Sequence, residues 1–255
     1  MRYALLRRMR RRFVALASEH AVRSGDRGGH IVLKRDHSLR VHALAVKIVA
    51  GEGLVPETPY LAASLVHDIG RFEQFERFGT YRDAASVDHG DLGATVLGKS
   101  DLLEELDVSE RECVIEAVRL HNKRELPDGL DPLVRSVCDV VRDADKLDIT
   151  PLVLARMLPG GPRDDVVTLG LEDAPGRWSQ GVFEAVSAGV SPAYSELRFL
   201  NDFKLLLASW GPGLIRLASR RIFRHRAYLD RLFSTLPQTS SFSALKIVLA
   251  HRLEC

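Results

Sequence analysis

Apolar residues recur at three- and four-residue spacing along most of this chain, and no segment alternates with the period of two that a half-buried strand needs. That pattern confines the chain to packed helices, so the expected fold class is all-α. From about Asp36 to Ala50 the stripe reads His37, Val41, Leu44 and Ile48, closed by Gly51 and Gly53. Pro56 and Pro59 open the next helix, Tyr60 to about Ile69, and Gly79–Thr80 marks a loop after the aromatic and charged segment from Arg71. Ser86 to Leu97 reads as helical. Ser109 with Glu112 has the form of a capping box ahead of Val114, Ile115 and Val118. Asp131–Pro132 supplies a cap and a first-turn proline ahead of Leu133, Val134, Val137 and Val141. The stretch from Pro151 to about Gly176 is dense in Pro, Gly and Asp and reads as irregular. Helices resume near Phe183, then over Glu196–Ala208 and Leu214–Phe233. Three parts follow: a basic helix and turn over 1–29, a helical core over 30–150, and a helical extension over 151–255 that packs on it.

The chemistry lies in what these stripes carry. His37 shares its stripe with Val41, Leu44 and Ile48, and His121 follows Val114, Ala117 and Val118 at seven, four and three residues. Asp145 follows Cys138 and Val141 in the same way, and His67–Asp68 sits at a helix end. A lone histidine on an apolar face is more often a hydrogen-bonded core residue, and a lone aspartate can pair with a neighbour such as Arg142 or Lys146. A buried carboxylate without a partner costs several kcal/mol, however, and several helices each turning a His or Asp inward are what a metal site in a bundle requires. A shared cation answers all of them together.

The order His37, His67–Asp68, Asp145 resembles the H…HD…D signature of the HD superfamily of metal-dependent phosphohydrolases. The local phrases His37-Ser-Leu-Arg-Val41, Leu65-Val-His-Asp-Ile-Gly70 and Arg142-Asp-Ala-Asp-Lys-Leu-Asp148 are similar to that family too. The resemblance covers about Asp36 to Thr150 and implies an HD-type helical bundle around metal. It assigns His37, His67, Asp68 and Asp145 to the basic ligand set, with Asp143 and His42 as weaker competitors. His89 and His121 resemble the extra histidines of members that hold two ions, with Asp68 between them. The His-Pro and Gly-Tyr-Pro phrases of the cyclic-dinucleotide subgroup are absent. The implied activity is hydrolysis of a phosphomonoester or phosphodiester, of a nucleotide or another small phosphorylated compound, by metal-activated water. A mixed His/Asp shell suits one or two ions of Mn, Fe, Co, Ni or Zn better than Mg. Asp68 is expected to act catalytically, with Arg71, Lys123 and Lys146 as cations for phosphate oxygens. The segment from Arg71 to Tyr81 is expected to form a lid or pocket wall. A metal- and nucleotide-binding sensor without turnover, and a di-iron oxygenase of HD-like fold, are the alternatives.

Bulk properties narrow the partners. With 36 basic and 34 acidic residues the formal charge is +2, which makes no case for a nucleic-acid partner. The arginine-rich start, Arg7 to Arg12, reads as a solvated helix face, since the apolar run after it is too short for a secretory signal. No apolar run reaches the roughly 20 residues of a membrane span. Three cysteines outside any CxxC (Cys113, Cys138 and Cys255) suit a reducing cytoplasm. Oligomeric state is left open.

Overall fold

The computed structural model describes residues 2–157 and 165–254, and Cys255 lies outside them. Among these residues there is no strand, only an isolated bridge pairing Glu172 with Phe199. The chain divides into two units, residues 1–145 and 146–255.

In the first unit, helix α1 (Arg2–Arg23) packs on α2 (Gly28–Glu52), α3 (Glu57–Val66) and α4 (Gly70–Phe78). Its apolar stripe Leu6, Met9, Phe13 and Ala17 is buried, and the Phe13 and Phe72 rings lie 5.4 Å apart. Burying one such ring is worth about 1.5–3 kcal/mol, so this stripe and not the surface charge anchors α1. Its basic face is partly paired: Arg8 meets Glu105, and Arg12 meets Asp101 and Glu104. Helices α5 (His89–Lys99) and α6 (Val108–Leu120) pack on each other, α5 against α4 and α6 against α3. Helix α7 (Pro132–Met157) is tied in by a Tyr60–Ser136 hydroxyl pair at 2.8 Å.

Several local expectations need correction. Helix α2 begins at Gly28, well before Asp36, because the stripe extends back to Ile31, which is fully buried. Helix α6 is capped by Asp107, whose carboxylate accepts from the Glu110 N–H at 2.8 Å; the Ser109 hydroxyl donates to that same carboxylate. The segment after Pro151 is not irregular at its start: α7 runs through the proline to Met157. Proline removes the N–H that would reach the Leu147 carbonyl four residues back. The Tyr228 hydroxyl donates to that carbonyl instead, at 3.2 Å. Residues 158–164 of the same stretch lie outside the described residues, and α8 (Asp165–Thr168) follows them.

The second unit is built around α10 (Leu200–Trp210), every residue of which is buried. Asp202 secures its start by accepting from the N–H groups of Ser179, Arg198 and Phe199 and from the Ser179 hydroxyl. Lys204 donates to Thr235 O and Asn201 Oδ1 at 2.9 and 3.1 Å, and burial lowers its pKa. Helix α9 (Gln180–Ala188) packs on α10. The expected single helix Leu214–Phe233 is two, α11 (Leu217–His225) and α12 (Tyr228–Phe233), parted at Ala227 by a left-handed φ of 50°. Helix α13 (Ser240–Glu254) follows them. None of the described helices is long and apolar enough to cross a membrane.

Candidate metal centre

Five elements deliver the candidate residues to one place in the first unit. His37 comes from the middle of α2, His67 and Asp68 from the joint between α3 and α4, and His89 from the start of α5. His121 caps the end of α6, and Asp145 lies on α7. The joint is tight because Gly70 lies against α5: a Cβ there would stand 2.3 Å from the His89 carbonyl and 2.6 Å from the Gly93 nitrogen. Only glycine allows the His-Asp turn and the first turn of α5 to approach this closely.

Two groups of donor atoms form around the joint. His37, His67 and Asp145 make one, and His67, Asp68 and His121 the other. His37 Nε2 is 3.0 Å from Asp145 Oδ1 and 3.6 Å from Asp68 Oδ2. His67 Nε2 is 3.7 Å from Asp68 Oδ2 and 3.8 Å from Asp145 Oδ1. On the other side of Asp68, His89 Nε2 and His121 Nε2 lie 3.5 and 3.8 Å from Oδ1. Five of the six residues singled out as ligands fall in these two groups, and His89, outside both, stands beside the second, 3.5 Å from Asp68 Oδ1 and 3.1 Å from His121 Nε2. Asp143 is buried but belongs to neither group, and the His42 ring is turned to the Leu61 carbonyl at 2.9 Å.

The other ring nitrogens explain what this cluster can hold. His67 Nδ1 donates to Ser64 O at 3.0 Å, and His121 Nδ1 donates to Val118 O at 2.7 Å. A carbonyl can only accept, so each Nδ1 carries a proton, which leaves Nε2 as the atom a ligand ring would offer to a cation. His89 Nδ1 donates in the same way to Asp83 Oδ2 at 2.7 Å. Burial, followed by the charge of Arg71, pushes the His89 pKa down to about 3, which keeps this imidazole neutral. His89 Nε2 and His121 Nε2 face each other at 3.1 Å. His67 Nε2 is buried with no hydrogen-bond partner. Two buried imidazole nitrogens turned on each other and a third without a partner are satisfied together by a cation. The donor set fits a divalent metal ion.

The carboxylates fit it too. Burial works against the charge of Asp68, but the Lys34 ammonium, then His67, His121 and Arg71, outweigh it and hold the carboxyl well below the usual range. Asp145 is likewise opposed by burial and held low by His37 and His67.

Lys34 was not foreseen. Its Nζ lies 2.8 Å from Asp68 Oδ2, and it precedes His37 by three residues on α2, so helical spacing alone places both on one face. Asp83 was also missed, because it comes from the short segment before α5, where no periodicity applies. Besides His89 it accepts from Arg71 Nη1 at 2.7 Å and Gln74 Nε2 at 2.9 Å.

The expected cations differ in their freedom. Arg71 Nη1 is held by Gln74 Oε1, Tyr81 O and Asp83 Oδ1 at 2.6–2.7 Å, and its Nε is 3.6 Å from Asp68. Lys123 is drawn to Asp88 and Asp91 at 2.8 and 2.9 Å. Lys146 follows Asp145 on α7 and falls in the second unit. In the segment from Arg71 to Tyr81, the Tyr81 ring lies tilted against Phe75 with centroids 4.8 Å apart, and Lys34 and Arg71 stand 5.5 and 5.7 Å from its centroid.

Helices converging on pooled imidazoles and carboxylates define an all-α protein with a His/Asp centre compatible with metal binding. Residues 35–150 match the family model described as HD domain, a match consistent with the HD superfamily of metal-dependent hydrolases. No curated protein and no solved structure matches the chain.

Proposed function

We propose that this protein is a phosphohydrolase that cleaves a phosphomonoester or phosphodiester of a small compound, a nucleotide among the candidates. The reading rests on the facing Nε2 atoms of His89 and His121 beside Asp68, with His37, His67 and Asp145 on its other edge. One or two divalent ions such as Mn, Fe, Co, Ni or Zn would be held by these six residues. Such an ion supplies Lewis acidity toward a phosphoryl oxygen and a hydroxide source near neutral pH.

The chain's own residues do the rest. Asp68 faces His37 and His67 with Oδ2 and His89 and His121 with Oδ1 and stays ionised, so it can serve both sides and orient a hydrogen-bonded nucleophile. Lys34 and Asp145 have 16% and 24% of their side chains exposed, against 4% for Asp68 and none for His67. Substrate therefore approaches along the Lys34–Asp145 edge, where the Lys34 ammonium can meet phosphate charge. Arg71 is pinned by three acceptors, so its role is to fix Asp83 and Tyr81. Lys123 would need to leave Asp88 and Asp91 to reach substrate.

The test begins with elemental analysis of the purified protein. A panel of phosphomonoesters and phosphodiesters follows, with Mn, Co or Ni added. Hydrolysis is expected with at least one, and loss of it in Asp68→Ala with helical content retained. A metal-loaded protein that binds nucleotides without turnover would instead be a sensor. Full activity in Asp68→Ala would remove the mechanism.

A further inference from the structure

The second unit carries a concentration of charge that the metal centre does not use. Between Leu214 and Ala227 stand Arg216, Arg220, Arg221, Arg224 and Arg226, with His225 and no Asp or Glu. Helix α11 folds this segment with Ala218, Ser219 and Phe223 inward. Leu217, Arg221, Arg224 and His225, spaced at i, i+4, i+7 and i+8, occupy the opposite stripe and are exposed. Arg224 reaches Glu254 at 3.5 Å with both side chains more than half exposed. Arg220 and Arg226 meet neutral oxygens, the Leu214 carbonyl and the Tyr228 hydroxyl, each at 2.8 Å.

Helix stability does not account for this pattern. Cations near a helix C-terminus are favoured by its dipole, which covers Arg224 and His225. Arg216 and Arg220 sit at the opposite end, where positive charge is disfavoured. Beside them Ile215 and Leu217 are 60% and 58% exposed, so two aliphatic side chains stand in water within the basic patch. The aromatic residues of the segment are turned away, since Phe223 and Tyr228 are each 1% exposed. A surface that stacks bases offers Phe, Tyr or Trp faces, and this segment exposes none of these. Arginines around protruding aliphatic side chains are instead the complement of an anionic bilayer, with phosphates at the rim and acyl chains beneath.

We propose that α11 and the turn before it form a docking surface for anionic lipid bilayers, with Arg220, Arg221 and Arg224 on headgroup phosphates and Ile215 and Leu217 inserted between them. The full chain should co-sediment with phosphatidylcholine vesicles containing phosphatidylglycerol, not with phosphatidylcholine alone, and binding should weaken as salt is raised. The double variant Arg221→Glu/Arg224→Glu should lose about 30-fold or more in vesicle partitioning, from the usual contribution of each basic residue near such a surface. Ile215→Ser/Leu217→Ser should weaken the binding that survives in high salt. Both variants alter exposed positions, and circular dichroism checks that they fold. Absence of binding to the anionic vesicles, or binding indifferent to salt and to the charge reversal, overturns the proposal. Labelled single- and double-stranded oligonucleotides run in parallel by fluorescence anisotropy provide the other outcome. Tighter binding to these, lost in the same double variant, would make this a nucleic-acid surface and overturn the lipid assignment.

Discussion

A histidine serves a cation through whichever ring nitrogen its other hydrogen bond leaves free, so the residues behind the cluster matter as much as those in it. Asp83 is the clearest case. Its Oδ2 accepts from His89 Nδ1, while Arg71 and Gln74 hold its Oδ1. Their charge and hydrogen bonds overcome partial burial and keep its pKa well below the ordinary carboxylate value. Replacing this carboxylate with an amide of the same shape removes the charge that orients His89 and leaves the packing alone. Asp83→Asn is expected to weaken metal binding on the His89 side about 10- to 100-fold, the usual cost of losing such a partner. Calorimetric titration with Mn2+ reads this directly, and affinity equal to that of the unaltered protein would show that Asp83 does not set the His89 ring. The sequence showed His37, His67, Asp68, His121 and Asp145 because each lies on or at the end of a periodic stripe. It hid Asp83, whose position depends on Gln74 bridging Asp83 Oδ1, the Ser86 hydroxyl and the Val87 carbonyl, contacts that no spacing encodes.

Among the elements, α4 and α5 show how much of the site depends on local backbone. With Cβ contacts of 2.3 and 2.6 Å to backbone atoms that cannot rotate away, Gly70→Ala forces α4 and α5 apart. The expected cost is about 1–3 kcal/mol, with a loss of metal affinity because His89 moves with α5. A lowered urea midpoint accompanied by unchanged Mn2+ affinity would separate the packing from the site. The cap of α5 gives a pH-dependent prediction. Asp88 accepts from the Asp91 N–H at 3.0 Å and pairs with Lys123. Partial burial opposes its charge, but these contacts hold its pKa at about 2 against the ordinary 3.8. A depressed carboxylate stabilises the fold above its unfolded value and loses that contribution as pH falls from about 3.8 through about 2. Asn also caps helices well, so Asp88→Asn isolates the charge: its urea midpoint should fall below that of the unaltered protein at pH 5 and converge with it near pH 2. A constant gap across that range would contradict the assignment. Element boundaries were legible where a proline and its cap coincide, as at Asp131–Pro132, where Asp131 accepts from the Leu133 and Val134 N–H groups. They were not legible at Pro151, because the hydroxyl that replaces the missing donor belongs to Tyr228, far along the chain.

For the molecule as a whole, the consequence of the centre is that residues from position 37 to position 145 depend on one another through charge. Folding the first unit brings Asp68 and Asp145 together with four imidazoles, and desolvation of both carboxylates works against it. Without metal, Lys34 is the full positive charge in closest contact with Asp68, at 2.8 Å. A bound divalent ion would compensate both carboxylates and the facing nitrogens of His89 and His121, whereas the unfolded chain scatters the same donors and binds it weakly. Metal must then stabilise the folded state by linkage, by about 2.7 kcal/mol when free ion reaches roughly one hundred times its dissociation constant. For a chain of this size that corresponds to a rise of about 5–10 °C in melting temperature. Thermal denaturation of protein stripped with chelator and then titrated with Mn2+, Co2+ or Ni2+ measures the rise. Asp68→Ala should reduce or abolish it, because the variant removes the carboxylate that faces all four imidazoles. A rise of equal size in that variant would mean that the ions act elsewhere on the protein. No rise with any metal in the unaltered chain would mean that the six residues come together without forming a metal site.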